Sequence, residues 1–348
     1  MKKLAVLVMA MAMTAASLTG CGGNGGSAST ADAPESAAQA ETAGAGAQEN
    51  APAAQDGKVY NIGICQLVQH EALDAATQGF QDKLVELLGD QVTFDLQNAS
   101  GDAATCATIA NQFVAEDVDL ILANATASLQ SAAAATSEIP ILGTSITDYA
   151  TALEIDNWTG VTGSNISGTS DLAPLAEQAA MLNELFPDAK TVGLLYCSAE
   201  PNSAYQAEEV QASLEGLGYT CKAYTFADSN DVAAVTTTAS SECDVIYIPT
   251  DNTAASSTEI INNICLPAGV PIIAGEEGIC RGCGVATLSI SYYEIGQQAG
   301  QMAYEILVNG ADVSTMPIEF APNVTKKYNA ANCDTLGITV PEGYEAIE

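Results

Sequence analysis

Short apolar runs alternate with amphipathic stretches from Lys58 onward. "VYNIGICQ" (59–66) reads as a buried strand, and 72–88 as a helix with Phe80, Leu84, Leu87 and Leu88 near one face. "VTFDLQNA" (92–99) alternates like a strand, and 102–115 is helical. "VDLILANA" (118–125) is a strand, 127–136 an alanine-rich helix and "IPILGTS" (139–145) another strand. Strands separated by helices in this way form a parallel sheet covered on both faces.

The series then repeats. A helix over 171–185 leads to the strand "KTVGLLYC" (190–197), a helix over 203–216, a strand over 219–226 and a helix near 230–240. The strand "DVIYIPT" (244–250), a helix over 254–264 and the strand "VPIIAGE" (270–276) follow. "EIPILGTS" is echoed in "GVPIIAGE", and "VDLILANAT" in "CDVIYIPTD". These echoes predict an α/β protein of two doubly wound parallel-sheet lobes, with a hinge and a cleft between facing strand ends. Lobe 1 is expected over 58–162, completed by about 292–318, and lobe 2 over 163–291, completed by about 319–348.

Polar residues collect at the strand tips. The first half offers Gln66 and His70, then Asn124 and Thr126, then Thr144, Ser145, Thr147 and Asp148. The second offers Ser198, Glu200, Asn202 and Ser203, then Thr250, Asp251 and Asn252, then Glu276 and Glu277. Helix capping explains any one of these, but so many at the same end of both sheets favours a ligand cleft. At "DVIYIPTDN" (244–252) two readings stand side by side, a ligand contact at Asp251 or a cap on the next helix.

The first 57 residues follow different rules. "MKK" and the uncharged run "LAVLVMAMAMTAASL" (4–18) form a signal segment, shorter than the ~20 residues of a spanning helix. It ends in "LTGC", which resembles the bacterial lipobox and implies cleavage after residue 20 and lipidation of Cys21. Residues 22–57 contain no Val, Ile, Leu, Met or aromatic side chain, so 21–57 is expected to be a disordered tether. As a flexible coil it would reach roughly 30–35 Å on average. The protein is expected to be exported and held at the outer face of the cytoplasmic membrane, at the cell surface or in the periplasm.

Charge narrows the partners. The whole chain carries −34, and loss of the signal removes two cations and no acid, leaving −36. Such a chain repels nucleic acid and anionic lipid. After the signal the only cations are Lys58, Lys83, Lys190, Lys222, Arg281, Lys326 and Lys327, which argues against a phosphate or polyanionic ligand. Nine cysteines remain besides Cys21 and sit within strand and helix patterns, so they read mainly as small buried hydrophobes. "CRGC" (280–283) would be a redox pair or half a zinc site, but no second CxxC exists and His70 is the single histidine. No metal and no cofactor is expected.

Chemistry is scarce. Glu276 and Glu277 could serve as acid and base, yet no Ser or Cys motif is placed to use His70. The first strand leads into "GICQLVQ" rather than GxGxxG, which disfavours a dinucleotide site. A binding protein fits better than an enzyme.

"GICQLVQHEALDAATQGF", "NQFVAEDVDLILANATASLQSAAAAT", "NISGTSDLAP", "SAEPNSAYQ", "PTDNTAAS", "SYYEIG" and "LGITVPEGY" occur in an order that resembles ABC-transporter substrate-binding lipoproteins of the tryptophan/tyrosine type. The resemblance spans 58–348. It implies a type I periplasmic-binding-protein fold and delivery of a small solute, most simply an aromatic amino acid, by a monomer to permease subunits. Three departures bear on the ligand: Ser291 stands where relatives usually carry Asp, "CRGCG" is a cysteine pair they lack, and "NWTGVTGSN" is lengthened.

An amino-acid ligand would place its carboxylate on backbone amides and the hydroxyls of Thr126, Ser145 and Thr147, with helix N-termini assisting. Its ammonium would meet Asp251, or secondarily Glu277, with hydrogen bonds from Asn202 and Ser203. Candidate walls for its side chain are His70, Leu73 and Tyr149; Trp158 is expected near a hinge crossing. The ligand-binding set is thus Gln66, His70, Thr126, Ser145, Thr147, Asp148, Asn202, Ser203, Asp251, Asn252 and Glu277. The alternative is a surface receptor or adhesin that binds a ligand without transport.

Overall fold

The computed structural model describes residues 57–347. The signal segment 1–20, Cys21 and all but the last residue of the tether lie outside the described residues.

The first lobe runs β1 (Tyr60–Gln66), α1 (Glu71–Leu88), β2 (Val92–Asn98), α2 (Ala103–Ala115), β3 (Leu120–Asn124), α3 (Thr126–Ala135), β4 (Ile141–Ile146), α4 (Tyr149–Leu153) and β5 (Ile166–Ser170). The second runs α5 (Leu175–Leu185), β6 (Thr191–Cys197), α6 (Pro201–Gly216), β7 (Thr220–Phe226), α7 (Val232–Glu242), β8 (Val245–Ile248) and α8 (Asn252–Ala255). It continues with α9 (Thr258–Ala268), β9 (Ile272–Ala274), α10 (Glu277–Cys283) and β10 (Ala286–Ser289). Then come α11 (Tyr292–Leu307), β11 (Glu319–Phe320), β12 (Thr325–Tyr328), α12 (Ala330–Leu336) and β13 (Glu345–Ala346).

These strands make two sheets, ordered β11-β5-β4-β3-β1-β2 and β13-β12-β10-β9-β8-β6-β7. Every pairing is parallel except β10 with β12. β3, β4 and β8 are buried at every residue, which is why they read as continuous apolar runs rather than as alternations.

The lobe boundary differs from the sequence expectation. β5 pairs with β4, and β11 pairs with β5, so both belong to the first sheet although they were assigned to the second lobe. "ISGTS" holds one bulky apolar residue, and it is buried by hydroxyl pairing, such as Thr169 Oγ1 to Thr144 Oγ1 at 3.1 Å, rather than by hydrophobicity. The first crossing therefore falls over 171–174. The second precedes α11, which returns to pack on α1, and the third joins β11 to β12. At the α1–α11 contact a Cβ on Gly79 would strike the Tyr293 carbonyl and one on Gly296 the Ala76 carbonyl, so glycine lets the two backbones meet.

The nine described cysteines are free thiols, eight of them buried. Cys280 and Cys283 face inward from α10 and pack with Cys265 in a lobe 2 core. No group of three or more His, Cys, Asp or Glu side chains is placed to hold a metal among the described residues. No described helix is long and apolar enough to cross a membrane.

Candidate functional site

The carboxyl ends of the central strands of both sheets face one another. On the first lobe, β3 and β4 end in residues whose backbone enters the left-handed region, Ala125 at φ 88° and Ser145 at φ 56°. Non-glycine residues adopt this at a cost, and such strain clusters where a backbone is aimed at a ligand. Ala125 is also the N-cap of α3 and has no acceptor to offer its first amides. Ser145 is 6 % exposed, and its Oγ has no hydrogen-bond partner.

On the second lobe the tips are tightly knotted. Asp251 Oδ1 accepts from Ala254 N at 2.7 Å, and Oδ2 accepts from Cys197 N at 2.6 Å. Glu200 Oε2 accepts from Asn252 N (3.0 Å) and Nδ2 (2.7 Å), while Oε1 accepts from Thr253 N (2.9 Å) and Oγ1 (2.8 Å). Two carboxylates thus serve one helix N-terminus, where amide dipoles favour negative charge. Asn202 Nδ2 donates to Thr250 O at 3.1 Å, and Gln206 bonds the Thr250 N–H through Oε1 at 3.2 Å.

Among the described residues, polar side chains join the lobes at three places. Gln206 Nε2 donates to Thr147 Oγ1 at 3.2 Å, and Thr147 Oγ1 donates to Asp171 Oδ1 at 3.0 Å. His70 Nε2 is 3.1 Å from Asn252 Oδ1. Arg281 of α10 pairs with Glu71 at the start of α1. These contacts hold the lobes together at separate points across the cleft.

Burial controls the ionisation of the groups inside. It is the largest cause raising Asp251 to about 8, followed by the nearby Glu200 charge, against the stabilising bonds from Cys197 and Ala254. Glu276 is raised to about 7, again by burial, although it caps α10 through the amides of Gly278 and Ile279. Asp171 is raised by burial and His70 lowered by it.

A cavity of about 530 Å³ opens beside the hinge crossings, between Glu71 and Tyr293 of lobe 1 and Glu277 and Lys327 of lobe 2. Its acid and base already pair, Lys327 Nζ to Glu277 Oε2 at 2.8 Å. A second cavity, about 340 Å³, is lined by the strand tips of both lobes: Leu67, Val68 and Ala127 face Ala199, Glu200 and Asn252. Its lining mixes apolar walls with eight polar side chains, three of them the acids Asp102, Glu200 and Asp228.

Against this geometry the sequence candidates divide. Thr126, Ser145 and Thr147 are buried at the tips of β3 and β4; Thr147 meets lobe 2 through Gln206, which also donates to Asn202 O, and His70 meets Asn252. Gln66 lies instead under α1, bonded to Asp74 Oδ1 (2.6 Å) and Thr77 Oγ1 (2.7 Å). Asp148 caps α4 through Thr151 N at 2.7 Å. Glu277 is paired with Arg281 (2.9 Å) and Lys327 (2.8 Å), so its charge is already matched by cations of the protein. Asp251 is a cap and strand clamp, with each oxygen already on a backbone amide. Leu73 and Tyr149 belong to the lobe 1 core, and Trp158 packs against that core.

Sequence reasoning passed over Gln206, Asp171, Tyr292 and the Glu71–Arg281 pair. Gln206 was within reach, since it lies one helical turn beyond Asn202 on the same face. Asp171 follows the tip of β5, the strand that hydropathy did not announce.

The family model for ABC transporter substrate binding proteins matches residues 61–346. A tyrosine-binding protein of Clostridioides difficile is 35% identical over 264 residues, 75% of this chain and 76% of the relative. A domain from Streptococcus pneumonia in complex with L-Trp has 32% identity and a TM-score of 0.79, covering 83% of this chain and 100% of that one. The ligand-free, open structure of a Clostridium difficile substrate binding protein with adhesive properties has 34% identity and a TM-score of 0.64 over 83% and 99% of the two chains.

Proposed function

The chain belongs to the family of ABC transporter substrate binding proteins, and from that premise we propose that it captures an amino acid, most simply an aromatic one, between its lobes. The carrying observation is Ser145: a buried hydroxyl without a partner, on strained backbone, beside the uncapped N-terminus of α3. Free amides and a free hydroxyl together form a receptor for a carboxylate. Thr126 and Thr147 complete it on lobe 1, and Asn202, Ser203 and Gln206 approach from lobe 2. The side chain then enters the cavity of about 340 Å³, past Ala127. The tyrosine named for one relative and the L-Trp bound in another are ligands of this kind.

The protein acts by binding and release, not catalysis. It works outside the cytoplasm as a monomer, anchored through Cys21, and passes its ligand to the permease subunits of an importer. A thermal-shift screen of the twenty amino acids, followed by calorimetry with L-Trp and L-Tyr, tests the ligand class; no response to any amino acid would sink the reading. Cys21→Ala should move the protein from the membrane to the soluble fraction. The adhesive neighbour supports a second reading, a surface receptor uncoupled from uptake. Deletion of the gene with labelled ligand uptake as readout separates the two, since an uncoupled receptor leaves uptake unchanged.

A further inference from the structure

Asp171 lies in the first crossing between the lobes, one residue past the tip of β5, and is 4 % exposed. Thr147 Oγ1 donates to its Oδ1 at 3.0 Å and the Tyr292 hydroxyl to its Oδ2 at 2.9 Å. No Lys, Arg or His pairs with it among the described residues. The other acids around the cleft are differently placed. Glu200 and Glu276 each receive two backbone amides at a helix start, Asp251 receives one from a helix start and one from the end of β6, and Glu277 receives two cations. Asp171 is met by two hydroxyls and its own backbone amide, with no cation and no helix start behind it. A buried carboxylate in that state keeps lone pairs for a further donor and gains most from a positive one.

Its position fits such a donor. β5 lies beside β4 with Ser170 opposite Ile146, and Asp171 N donates to Ile146 O at 3.2 Å, so Asp171 leaves β5 next to the strand end that carries Ser145. The ammonium and carboxylate of an α-amino acid leave the same carbon and need receptors on neighbouring segments. Thr147 stands between the two, donating to Asp171 while accepting from Gln206 of the opposite lobe. The geometry points to Asp171 as the residue that holds the ligand's α-ammonium group, with Tyr292 and Thr147 fixing the carboxylate's orientation. This inference rests on the amino-acid reading above and moves the ammonium from the strand tip at Asp251 to the hinge, so that the ligand's positive charge is held where the lobes join.

The test is selectivity between an amino acid and its des-amino analogue. Wild-type protein is screened against the twenty amino acids, and the best binder is paired with its des-amino acid (for L-Trp, indole-3-propionate). Wild type should favour the amino acid by on the order of a hundredfold. Asp171→Asn should remove most of that ratio while leaving the des-amino acid bound as before or more tightly. Asp171→Ser, which also removes the charge, serves as the second variant if Asp171→Asn does not fold, and Asp148→Asn, which keeps the oxygen that caps α4, should preserve the ratio. A ratio unchanged in Asp171→Asn and Asp171→Ser, or one lost equally in Asp148→Asn, overturns the assignment and leaves Asp171 a hinge residue. If the wild type binds no amino acid, the functional reading fails first and the assignment falls with it.

Discussion

His70 of the first lobe and Asn252 of the second meet across the cleft, Nε2 to Oδ1 at 3.1 Å. Asn252 Nδ2 is committed to Glu200 Oε2, so its oxygen must face the ring, and the imidazole donates from Nε2. This bond exists only when the lobes are together, so it favours the closed arrangement. One neutral hydrogen bond contributes about 0.5–1.5 kcal/mol. His70→Ala should therefore weaken ligand binding by up to roughly tenfold and enlarge the radius of gyration of the liganded protein in small-angle scattering at subsaturating ligand. Unchanged affinity would show that the contact is incidental to closure.

Arg281 bridges the lobes at the same edge, to Glu71 of α1 and Glu277 of its own helix. Its side chain is 39% exposed and that of Glu71 is 50% exposed, so solvent screens the pair and it contributes about 0.2–1 kcal/mol. Arg281→Gln should lower affinity no more than about fivefold at low salt, and the difference should shrink in 0.5 M salt, where the Debye length is only a few ångströms. Calorimetry at the two salt concentrations checks both parts. A large, salt-independent loss would mean that the arginine contacts the ligand.

Buried acids set the dependence of stability on pH. Asp251, raised to about 8, and Glu276, raised to about 7, hold protons in the folded state at pH values where the unfolded chain has lost them. Asp171 is shifted in the same direction. Unfolding then releases protons, so this contribution is complete below the unfolded carboxyl range near pH ~4 and is lost as pH rises through the folded values. His70, lowered by burial, works oppositely and loses its contribution as pH falls, but it is one group against three. The melting temperature should fall steadily from pH 5.5 to 8.5, and Glu276→Gln should flatten the part of that slope below pH 7.5. A flat wild-type profile would refute the raised values.

Much of this architecture was legible because apolar runs buried on both faces advertise themselves. β1, β3, β4, β6 and β8 were placed to within two residues, and the echoes between them revealed the second lobe. β5 was missed because its burial rests on serine, threonine and glycine, and α10 because "EGICRGC" carries no helical apolar stripe. The site was legible in part. Strand tips can be listed from sequence, but which tip turns toward the cleft depends on strand order. Gln66 shows this, since β1 ends with its side chain in a network under α1. Asp251 shows the other limit: cap and ligand contact look alike in "PTDN", and only the paired bonds to Cys197 N and Ala254 N separate them.

Ser145 and Asp251 should therefore respond to truncation in opposite ways. Ser145 Oγ bonds to nothing in the protein, so Ser145→Ala removes no internal hydrogen bond and should change the melting temperature little. The same substitution takes a donor from the proposed carboxylate receptor, and a hydrogen bond to a charged group is worth about 1.5–3 kcal/mol, so affinity should fall by roughly ten- to a hundredfold. Asp251→Ala leaves two buried amides, Cys197 N and Ala254 N, without acceptors. Each such orphan costs about 1–3 kcal/mol, offset in part by removal of a buried, poorly solvated carboxyl group. That variant should melt several degrees lower, and its remaining folded fraction should bind with only a secondary loss of affinity. Differential scanning calorimetry and titration calorimetry on both proteins decide the matter: a stable Asp251→Ala without binding would return the ammonium to the strand tip, and a fully binding Ser145→Ala would remove the hydroxyl from the site.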